Sequence, residues 1–537
     1  MPSKSIIIPE ILEIIFSYLY YPVFYPKFLL SCALVSRSWS NLALPILWNK
    51  PFVYDRRGNN HVKQIQQFRT CLSFLPNQFL KQVGLEQYVN KSLKINYNYL
   101  SFIKELCHLK LYEACLNFCK DKINDDQIMC RSNHPSKAIL QTKILPILTQ
   151  LYHLIILKYD ARIKYFEFSI PFKESCLCDY IPVNYFIFSH HVVSKYFFTS
   201  LRSFKCNGRY NFPYEKLFKE VMKHSKNIKH ITIENFELVE GNLESLKDLI
   251  ISQKKLQNIE LEFLIKRDFS ELFDALNENQ NLLRVRISFC SFKKALPIKI
   301  LSSCKNLKEL SIESSEIGYE ECHKDFNPFE SLKSFKIVKS KLPKEIFDYI
   351  FSPNSNLEQI IIKEMDLLNN YPNIIPSICL NCHQLKILKM GFTEKTFEKL
   401  LEILKYCINL QELIIYDELC EIEDMYTFNL TDINHLSTGE VFKRLGKLIS
   451  RNLKKLHFSS FYHCFEYDFK EFLISCKING CLEYLSINVC GDKSKILRML
   501  ENYSKGINKG LIIKQWDTRN YDGNNERFNQ IIIVKFN

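Results

Sequence analysis

The chain has 537 residues, of which 47% are hydrophobic, and its 72 Lys and Arg against 58 Asp and Glu give a net charge of +14. This length excludes a single ordinary compact domain, unless the chain is an array of stacked repeats. The positive charge is spread along the chain instead of forming Lys/Arg blocks, which argues against nucleic-acid binding. Twenty Cys without an export signal indicate reduced thiols in the cytoplasm or nucleus.

The first predicted element is an amphipathic helix that begins at Pro9. Residues on its main apolar face, at the i, i+3, i+4, i+7 spacing, are Leu12, Ile15, Phe16 and Leu19, and those that widen this surface are Ile11, Ile14 and Tyr18. Because one neighbouring element covers only one face of a helix, the pattern predicts two packing partners. The charge-free run from Ile14 to Pro26 is too short for a membrane span, which needs about 20 residues, so we expect no membrane association.

A longer ordered pattern extends from this helix to residue 48. It comprises a Pro-Glu opening at 9–10, a Leu-rich second helix, Val-x-Arg-x-Trp at 35–39 and Leu-Trp at 47–48. Taken together, these residues resemble the F-box. Two departures from the family pattern are Ile8 in place of the usual Leu, which conserves volume, and the longer, more aromatic connection YYPVFYPKF.

The resemblance implies that residues 1–50 are an F-box that docks on the Skp adaptor of a cullin-RING ubiquitin ligase. The residues it assigns to the adaptor contact are Pro9, Ile11, Leu12, Ile15, Phe16, Leu19, Leu34, Val35, Trp39, Leu47 and Trp48. A motif of about 40 residues is too small to bury all of its apolar surface, which fits a partner site. The alternative is that these residues are only the core of a cap on the rest of the chain.

Residues 51–195 are predicted to connect this motif to a repeat array and to contain irregular or divergent repeats. The segment LYHLII begins at Leu151, 50 residues before the phrase LRSFKC at Leu201. That distance is two repeat lengths with a degenerate phrase between them, so we expect LYHLII to be an early strand and the array to start near residue 95 with irregular, Tyr- and Phe-rich units.

From residue 196 to 537 a short phrase, apolar-x-x-apolar-x-apolar, recurs. Its ten copies are NIKHITI, LQNIEL, LLRVRI, NLKELSI, SLKSFKI, NLEQIII, QLKILKM, NLQELII, NLKKLHF and CLEYLSI, at steps of 25 to 29 residues apart from one step of 43. Helical patterns lie between the phrases, as in TEKTFEKLLEILKYC. The array resembles the leucine-rich repeat, whose phrase continues with Asn or Cys; Cys290 and Ser315 occupy that position here.

These patterns predict an α/β fold: a short helical F-box followed by a leucine-rich-repeat solenoid. The resemblance implies a horseshoe with parallel strands on its concave face and helices on its convex face. The final segment IIIVKFN is predicted to be a last edge strand. The long step contains an insertion, residues 417–440, with seven acidic residues and no Lys or Arg; it fits either a partner-contacting loop or a solvated excursion.

No catalytic motif is found. The sequence has no glycine-rich phosphate loop, nucleophile elbow or His-Glu-x-x-His, and only 13 Gly. The run CLNCH at 379–383 spells the c-type haem attachment pattern, but Cys382 is already explained by the repeat register. The Cys pairs 115/119 and 176/178 lack a second pair at zinc-ligand spacing. We therefore expect no enzyme activity, cofactor or metal.

The repeat register also predicts which side chains face the concave side of the sheet. Those expected to contact a substrate are Arg284, Arg286, Lys336, Lys363, Lys389, Tyr416, Lys455, His457 and Tyr484. Their basic character favours an acidic or phosphorylated peptide. Charges on neighbouring strands, about 4.8 Å apart, could equally neutralise one another.

The functional expectation is a substrate-recognition subunit of an SCF-type E3 ubiquitin ligase, with the F-box on the Skp adaptor and the repeats on a protein substrate. The alternative is a leucine-rich-repeat scaffold that binds protein or nucleic acid without a ligase. The sequence does not identify the substrate.

Overall fold

The structure is a computed structural model. It describes residues 9–19, 26–52, 61–89, 97–122, 140–169, 191–208, 214–235, 240–263, 270–294, 296–320, 328–353, 355–363, 374–392, 397–417, 444–458, 463–477, 482–490, 493–506, 511–517 and 530–536. The connection YYPVFYPKF up to Tyr25, Cys176, Cys178 and residues 418–440 of the acidic insertion lie outside the described residues. The chain forms two compact units, Met1–Arg267 and Asp268–Asn537.

The first unit begins with helices and continues as alternating helices and strands. Its helices are α1 (Pro9–Leu19), α2 (Pro26–Val35), α3 (Arg37–Leu47), α4 (His61–Leu72), α5 (Asn77–Gln82), α6 (His108–Lys122), α7 (Leu145–His153), α8 (His191–Thr199), α9 (Glu215–His224) and α10 (Glu240–Ser252). Its strands are β1 (Glu105–Cys107), β2 (Tyr165–Ser169), β3 (Ser203–Asn207), β4 (His230–Glu234) and β5 (Asn258–Glu262). They pair in chain order and in parallel.

The strand expected in LYHLII is wrong. Residues of this segment lie in α7 and in the π-helical turn Leu154–Lys158 that follows it, and the strand of this repeat is β2. The segment is buried on nearly all sides, and a short continuous apolar run has the same pattern in a buried helix as in a buried strand.

The second unit contains the remaining repeats. Its strands are β6 (Arg284–Ser288), β7 (Ser291–Lys294), β8 (Glu309–Glu313), β9 (Glu316–Glu320), β10 (Ser334–Val338), β11 (Gln359–Lys363), β12 (Ile387–Phe392), β13 (Glu412–Asp417), β14 (Lys455–Phe458), β15 (His463–Phe465), β16 (Tyr484–Cys490), β17 (Leu511–Asp517) and β18 (Gln530–Phe536). Its helices are α11 (Ser270–Asn277), α12 (Leu296–Ser302), α13 (Lys344–Ile350), α14 (Ile374–Asn381), α15 (Phe397–Tyr406), α16 (Glu466–Lys477) and α17 (Lys493–Gly506).

The main sheet of the second unit is a parallel ladder. It runs β6-β8-β10-β11-β12-β13-β14-β16, while β7 and β9 form a small separate pair and β15 pairs with β16. Every repeated phrase of the sequence is a strand, so the predicted α/β fold with parallel, solenoid-like repeats is confirmed. The expected last edge strand is placed wrongly: β18 is a strand, but it lies antiparallel between β16 and β17, and β17 is at the edge.

Each repeat buries alternate residues of its strand and one face of its helix. In β11, Ile360 and Ile362 are fully buried, and in α15 Leu400 and Leu404 are buried at helical spacing. The backbone joins successive repeats in the same way each time. For example, the Lys333 carbonyl accepts hydrogen bonds from the Glu358 and Gln359 N–H groups at 2.8 and 2.9 Å. Each repeat thus provides the apolar surface against which the next repeat packs.

The position that the sequence assigns to Asn or Cys forms a buried hydrogen-bond ladder. The Cys290 N–H donates to Ser315 Oγ at 3.0 Å, and the Ser315 N–H donates to Ser340 Oγ at 3.0 Å. Each Ser hydroxyl in turn donates to a backbone carbonyl two residues earlier. The ladder therefore satisfies buried N–H groups at the point where the chain leaves the sheet.

We predict that Ser315→Ala lowers the free energy of unfolding by about 1–2 kcal/mol, because the buried Cys290 N–H loses its acceptor. Urea unfolding followed by circular dichroism measures this change. Ser303→Ala, in a partly exposed turn outside the ladder, serves as the matched control. Equal losses in the two variants would contradict a role for the ladder.

A second prediction concerns Glu358, whose carboxylate contacts a lysine in the preceding repeat and another in the following repeat. Hydrogen bonds from Lys333 Nζ at 2.6 Å and from Lys386 Nζ at 2.7 Å lower the pKa of its carboxyl from 4.5 to about 2. A carboxyl whose pKa is lower in the folded state stabilises the fold above its unfolded pKa, and this contribution is lost as the pH falls through the folded pKa.

Glu358→Gln should therefore be less stable than wild type at pH 7 by at most about 1 kcal/mol, since the side chain is partly exposed. The difference should disappear between pH 4.5 and pH 2. Urea unfolding at several pH values tests this expectation, with Glu330→Gln, an exposed residue in a turn, as the control. A difference that does not depend on pH would refute the ion-pair explanation.

Candidate functional site

Helices α1 to α3 form a small helical domain with its own core. The buried residues of this core are Leu12, Phe16, Leu29, Ala33, Ala43 and Leu44. The rings of Phe16 and Trp39 meet edge to face with centroids 5.3 Å apart. Ser36 caps α3, since its Oγ accepts a hydrogen bond from the Trp39 N–H at 3.2 Å. One face of α1 therefore holds the domain together.

A second face of α1, beside the buried one, and much of α2 are apolar and exposed. The exposed residues are Ile11, Ile14, Ile15 and Tyr18 on α1 and Phe28, Leu30, Leu34 and Val35 on α2. They make up half of the large apolar residues that are exposed in the described part of the chain. Because isolated exposed apolar residues are ordinary but a concentration of them is not, these residues, which we call the α1–α2 apolar surface, form a candidate interaction site.

The structure separates the predicted contact residues into three groups. Those exposed are Pro9, Ile11, Ile15, Leu34 and Val35, and those half-buried are Leu19, Trp39, Leu47 and Trp48. Leu12 and Phe16 are 5% and 1% exposed, so their side chains belong to the domain's own core and do not lie on its surface.

The helical face chosen from the sequence was partly wrong. Ile15 was grouped with Leu12 and Phe16, but it lies with Ile11, Ile14 and Tyr18 on the adjacent, exposed face. Ile14, Tyr18, Phe28 and Leu30 are exposed residues that the predicted contact set omitted. For α1 the signal was present in the sequence, since positions 11, 14, 15 and 18 have their own i, i+3, i+4, i+7 spacing.

The helical domain is joined to the first strand of the sheet. The Asn49 carbonyl accepts hydrogen bonds from the Lys104 and Glu105 N–H groups at 3.0 and 2.9 Å, the same pattern that links the repeats. Lys50 Nζ lies 3.1 Å from Glu105 Oε2, and the ring of Trp48 stacks on Tyr99 with centroids 4.8 Å apart. The end of α3 therefore takes the place of a preceding repeat.

A second surface is the side of the second unit's main sheet that faces away from the buried residues. We call it the open face; it consists of the unburied, alternating side chains of β6, β8, β10 to β14 and β16. Its described cations are Arg284, Arg286, Lys336, Lys363, Lys389 and Lys455, and its described carboxylates are Glu309, Glu313 and Glu412. The cations outnumber the carboxylates by two to one.

Most of these cations already have acidic partners. Arg284 Nη2 donates to Glu309 Oε1 at 2.8 Å. Arg286 Nη2 and Lys336 Nζ lie 3.2 and 2.8 Å from Glu313. Although burial alone would raise the pKa of Glu313, the hydrogen bonds from Lys336 and Ser311 and the charge of Arg286 hold it below its usual value.

Glu412 is shared in the same way. Lys389 Nζ lies 2.9 Å and Lys455 Nζ 3.4 Å from its carboxylate oxygens. Burial opposes ionisation of Glu412, but the hydrogen bond and charge of Lys389, with Lys455, lower its pKa. The neutralisation that the sequence left open therefore accounts for most of the predicted substrate residues.

Lys363 differs from the other cations of the open face. In the described part of the chain no carboxylate lies within ion-pair distance of its ammonium, which instead stands 3.9 Å from the centre of the Tyr416 ring. Burial and then the charges of Lys389 and Lys363 lower the pKa of His457. The ring of His457 therefore lies in a positive electrostatic environment. Tyr484 is half-buried and pairs in register with Lys455.

The two cysteines of the CLNCH run are buried thiols. Cys379 and Cys382 are buried, and burial raises the pKa of each thiol to about 12, so both are protonated at neutral pH. Within the described ranges, no group of three or more His, Cys, Asp or Glu is placed to hold a metal ion. No helix in the same residues is long and apolar enough to span a membrane.

Comparison with known proteins assigns one part of the chain. Residues 9–54 match the family model described as F-box-like, which covers α1 to α3 and the α1–α2 apolar surface. No curated protein matches the chain. The helical domain that carries the exposed apolar surface and is joined to the first strand is therefore an F-box-like domain.

Proposed function

We propose that this chain is the non-catalytic substrate-receptor subunit of an SCF-type cullin-RING E3 ubiquitin ligase in the cytoplasm or nucleus. In this proposal the F-box-like domain binds a Skp-type adaptor. The repeats, which we assign to the leucine-rich-repeat class, bind a protein substrate.

The observation that carries the proposal is the division of α1 into two apolar faces. Leu12 and Phe16 hold the helical domain together, while Ile11 at 48% and Ile15 at 45% exposure point away from it. Ion pairs or polar residues would normally occupy such an exposed face. A partner that covers Ile11, Ile15 and Leu34 would remove the largest concentration of exposed apolar residues in the described chain from water.

The join between α3 and β1 supports a receptor role. Because Asn49, Lys50 and Trp48 all contact residues 97–105, a partner bound to α1 and α2 is held in a fixed relation to the first strands. A receptor contributes to catalysis by raising the local concentration of its substrate near the transferring enzyme, and such an effect depends on geometry.

A scaffold without a ligase would use the same repeats but would have no use for an adaptor. Adaptor binding therefore separates the two functions. The α3–β1 join makes removal of residues 1–50 a poor test, because the Lys104 and Glu105 N–H groups would lose their acceptor. Substitutions on the exposed face avoid this damage.

We predict that the double variant Ile11→Asp and Ile15→Asp binds a Skp-type adaptor at least about 100-fold more weakly than wild type, because two carboxylates would lose water without gaining partners. Co-purification and titration calorimetry with the adaptor measure the loss. The matched control is Leu380→Asp and Ile408→Asp, two exposed apolar residues of the second unit.

The control variant should bind the adaptor as wild type does, and both variants should unfold at the wild-type temperature. Absence of adaptor binding by the wild-type chain would refute the receptor function. Equal binding by wild type and the Ile11/Ile15 variant would move the contact away from α1.

Phe16 of α1 is buried and Leu34 of α2 is exposed, and this difference gives a further prediction. Phe16→Ala should destabilise the helical domain by about 3–4 kcal/mol, since it removes a ring packed on Trp39. Leu34→Ala, at a residue 80% exposed, should leave its stability within about 0.5 kcal/mol.

Tryptophan fluorescence can follow this unfolding, because Trp39 and Trp48 are two of the chain's three Trp. Leu34→Ala should weaken adaptor binding without shifting the transition. A destabilised Leu34→Ala variant would show that Leu34 serves the fold and not the partner.

A further inference from the structure

We propose that the open face binds an acidic group of a protein segment at Lys363, with an apolar side chain of the same segment on the neighbouring isoleucines. The acidic group is a phosphoryl group or a pair of carboxylates. The proposal depends on the proposed function only in calling this segment part of a substrate.

The charge balance of the open face is the first argument. Glu313 and Glu412 each neutralise one of the two cations that contact them, and Glu309 neutralises Arg284. Three positive charges remain uncompensated among the described residues. Among the described cations of the open face, Lys363 has an aromatic ring and no described carboxylate beside its ammonium, so it can take a new anion without breaking an ion pair that the structure describes.

The geometry around Lys363 is the second argument. Lys363 is on β11 and Tyr416 is on β13, two strands apart, about 9.6 Å between strand axes. They touch because the intervening strand β12 has Gly391 there, which pairs with Tyr416 and has no side chain. A gap therefore crosses β12, spanned by the Lys363 side chain.

Two isoleucines lie beside this gap, on either side of Lys389. Lys389 of β12 pairs in register with Ile361 of β11 and Ile414 of β13, and Ile414 pairs with His457 of β14. Both isoleucines lie on the solvent side of the sheet and are half-buried, so part of each side chain can contact a ligand. The site thus offers apolar contact and a cation within two residues along β11.

This combination favours a protein segment over a nucleic acid. Most cations of the open face are already paired with carboxylates, which would repel a continuous phosphate backbone. A single doubly charged group can instead accept a charge-assisted hydrogen bond from Lys363, while an apolar side chain of the same protein segment covers Ile361 or Ile414.

The test uses the full chain and three pools of fluorescent 13-residue peptides with random flanks around Ile-x-phosphoserine, Ile-x-Glu-Glu or Ile-x-Ser. Fluorescence anisotropy should show at least tenfold tighter binding of one or both anionic pools than of the Ser pool. Lys363→Glu should abolish this preference and Lys363→Arg should retain it. Lys305→Glu, the same charge change at an exposed turn residue, is the matched control.

A preference for the phosphoserine pool alone identifies the phosphoryl group, a preference for the Glu-Glu pool alone identifies the carboxylates, and equal preference shows that either group is sufficient. Equal binding of all three pools, an unaffected Lys363→Glu variant, or equal loss in Lys305→Glu would overturn the proposal. Full competition by single-stranded RNA that also depends on Lys363 would assign the site to nucleic acid. Adaptor binding by Lys363→Glu should equal that of wild type, so failure here is distinct from failure of the receptor function.

Discussion

No strand and helix of this chain can bury their inner residues alone. Side chains such as Ile360 and Leu400 leave water only because another repeat stacks beside them. This constraint destabilises the ends of an array, because a first strand has unpaired backbone groups and exposed apolar side chains. At its beginning the chain solves the problem with the F-box-like domain, whose Asn49 carbonyl receives the N–H groups of β1 as a preceding repeat would.

The stacking of repeats also explains why the sequence predicted the array from residue 196 onward well and the region before it less well. Phrases such as NLKELSI repeat a period set by stacking, so each copy reinforces the others. The segment at Leu151 had no such support, and an apolar run buried on all sides is compatible with a helix or a strand. The position of β18 was also beyond prediction, since pairing partners depend on tertiary contacts that leave no local pattern.

The candidate surfaces show a similar limit. Apolar spacing identified α1 as a helix with two apolar faces, but it could not tell which face turns inward, and Ile15 was placed on the wrong one. On the open face, the sequence located the cations correctly by register. It could not show that Glu313 and Glu412 each hold two of them, because ion pairs between repeats depend on side-chain reach across strands. The absence of a described carboxylate beside Lys363 became apparent only once those ion pairs were known.

The Asn49 carbonyl also has a mechanical consequence. A flexible tether would let a docked assembly swing freely around the array, and the chain would then have to search for productive orientations. Here Asn49 is hydrogen-bonded to the start of β1 as a preceding repeat would be, so the position of α1 and α2 is fixed relative to β1. Under the proposed function, inserting or deleting residues beside Asn49 would change the direction of α1 and α2 relative to β1, and with it the direction in which a bound partner points.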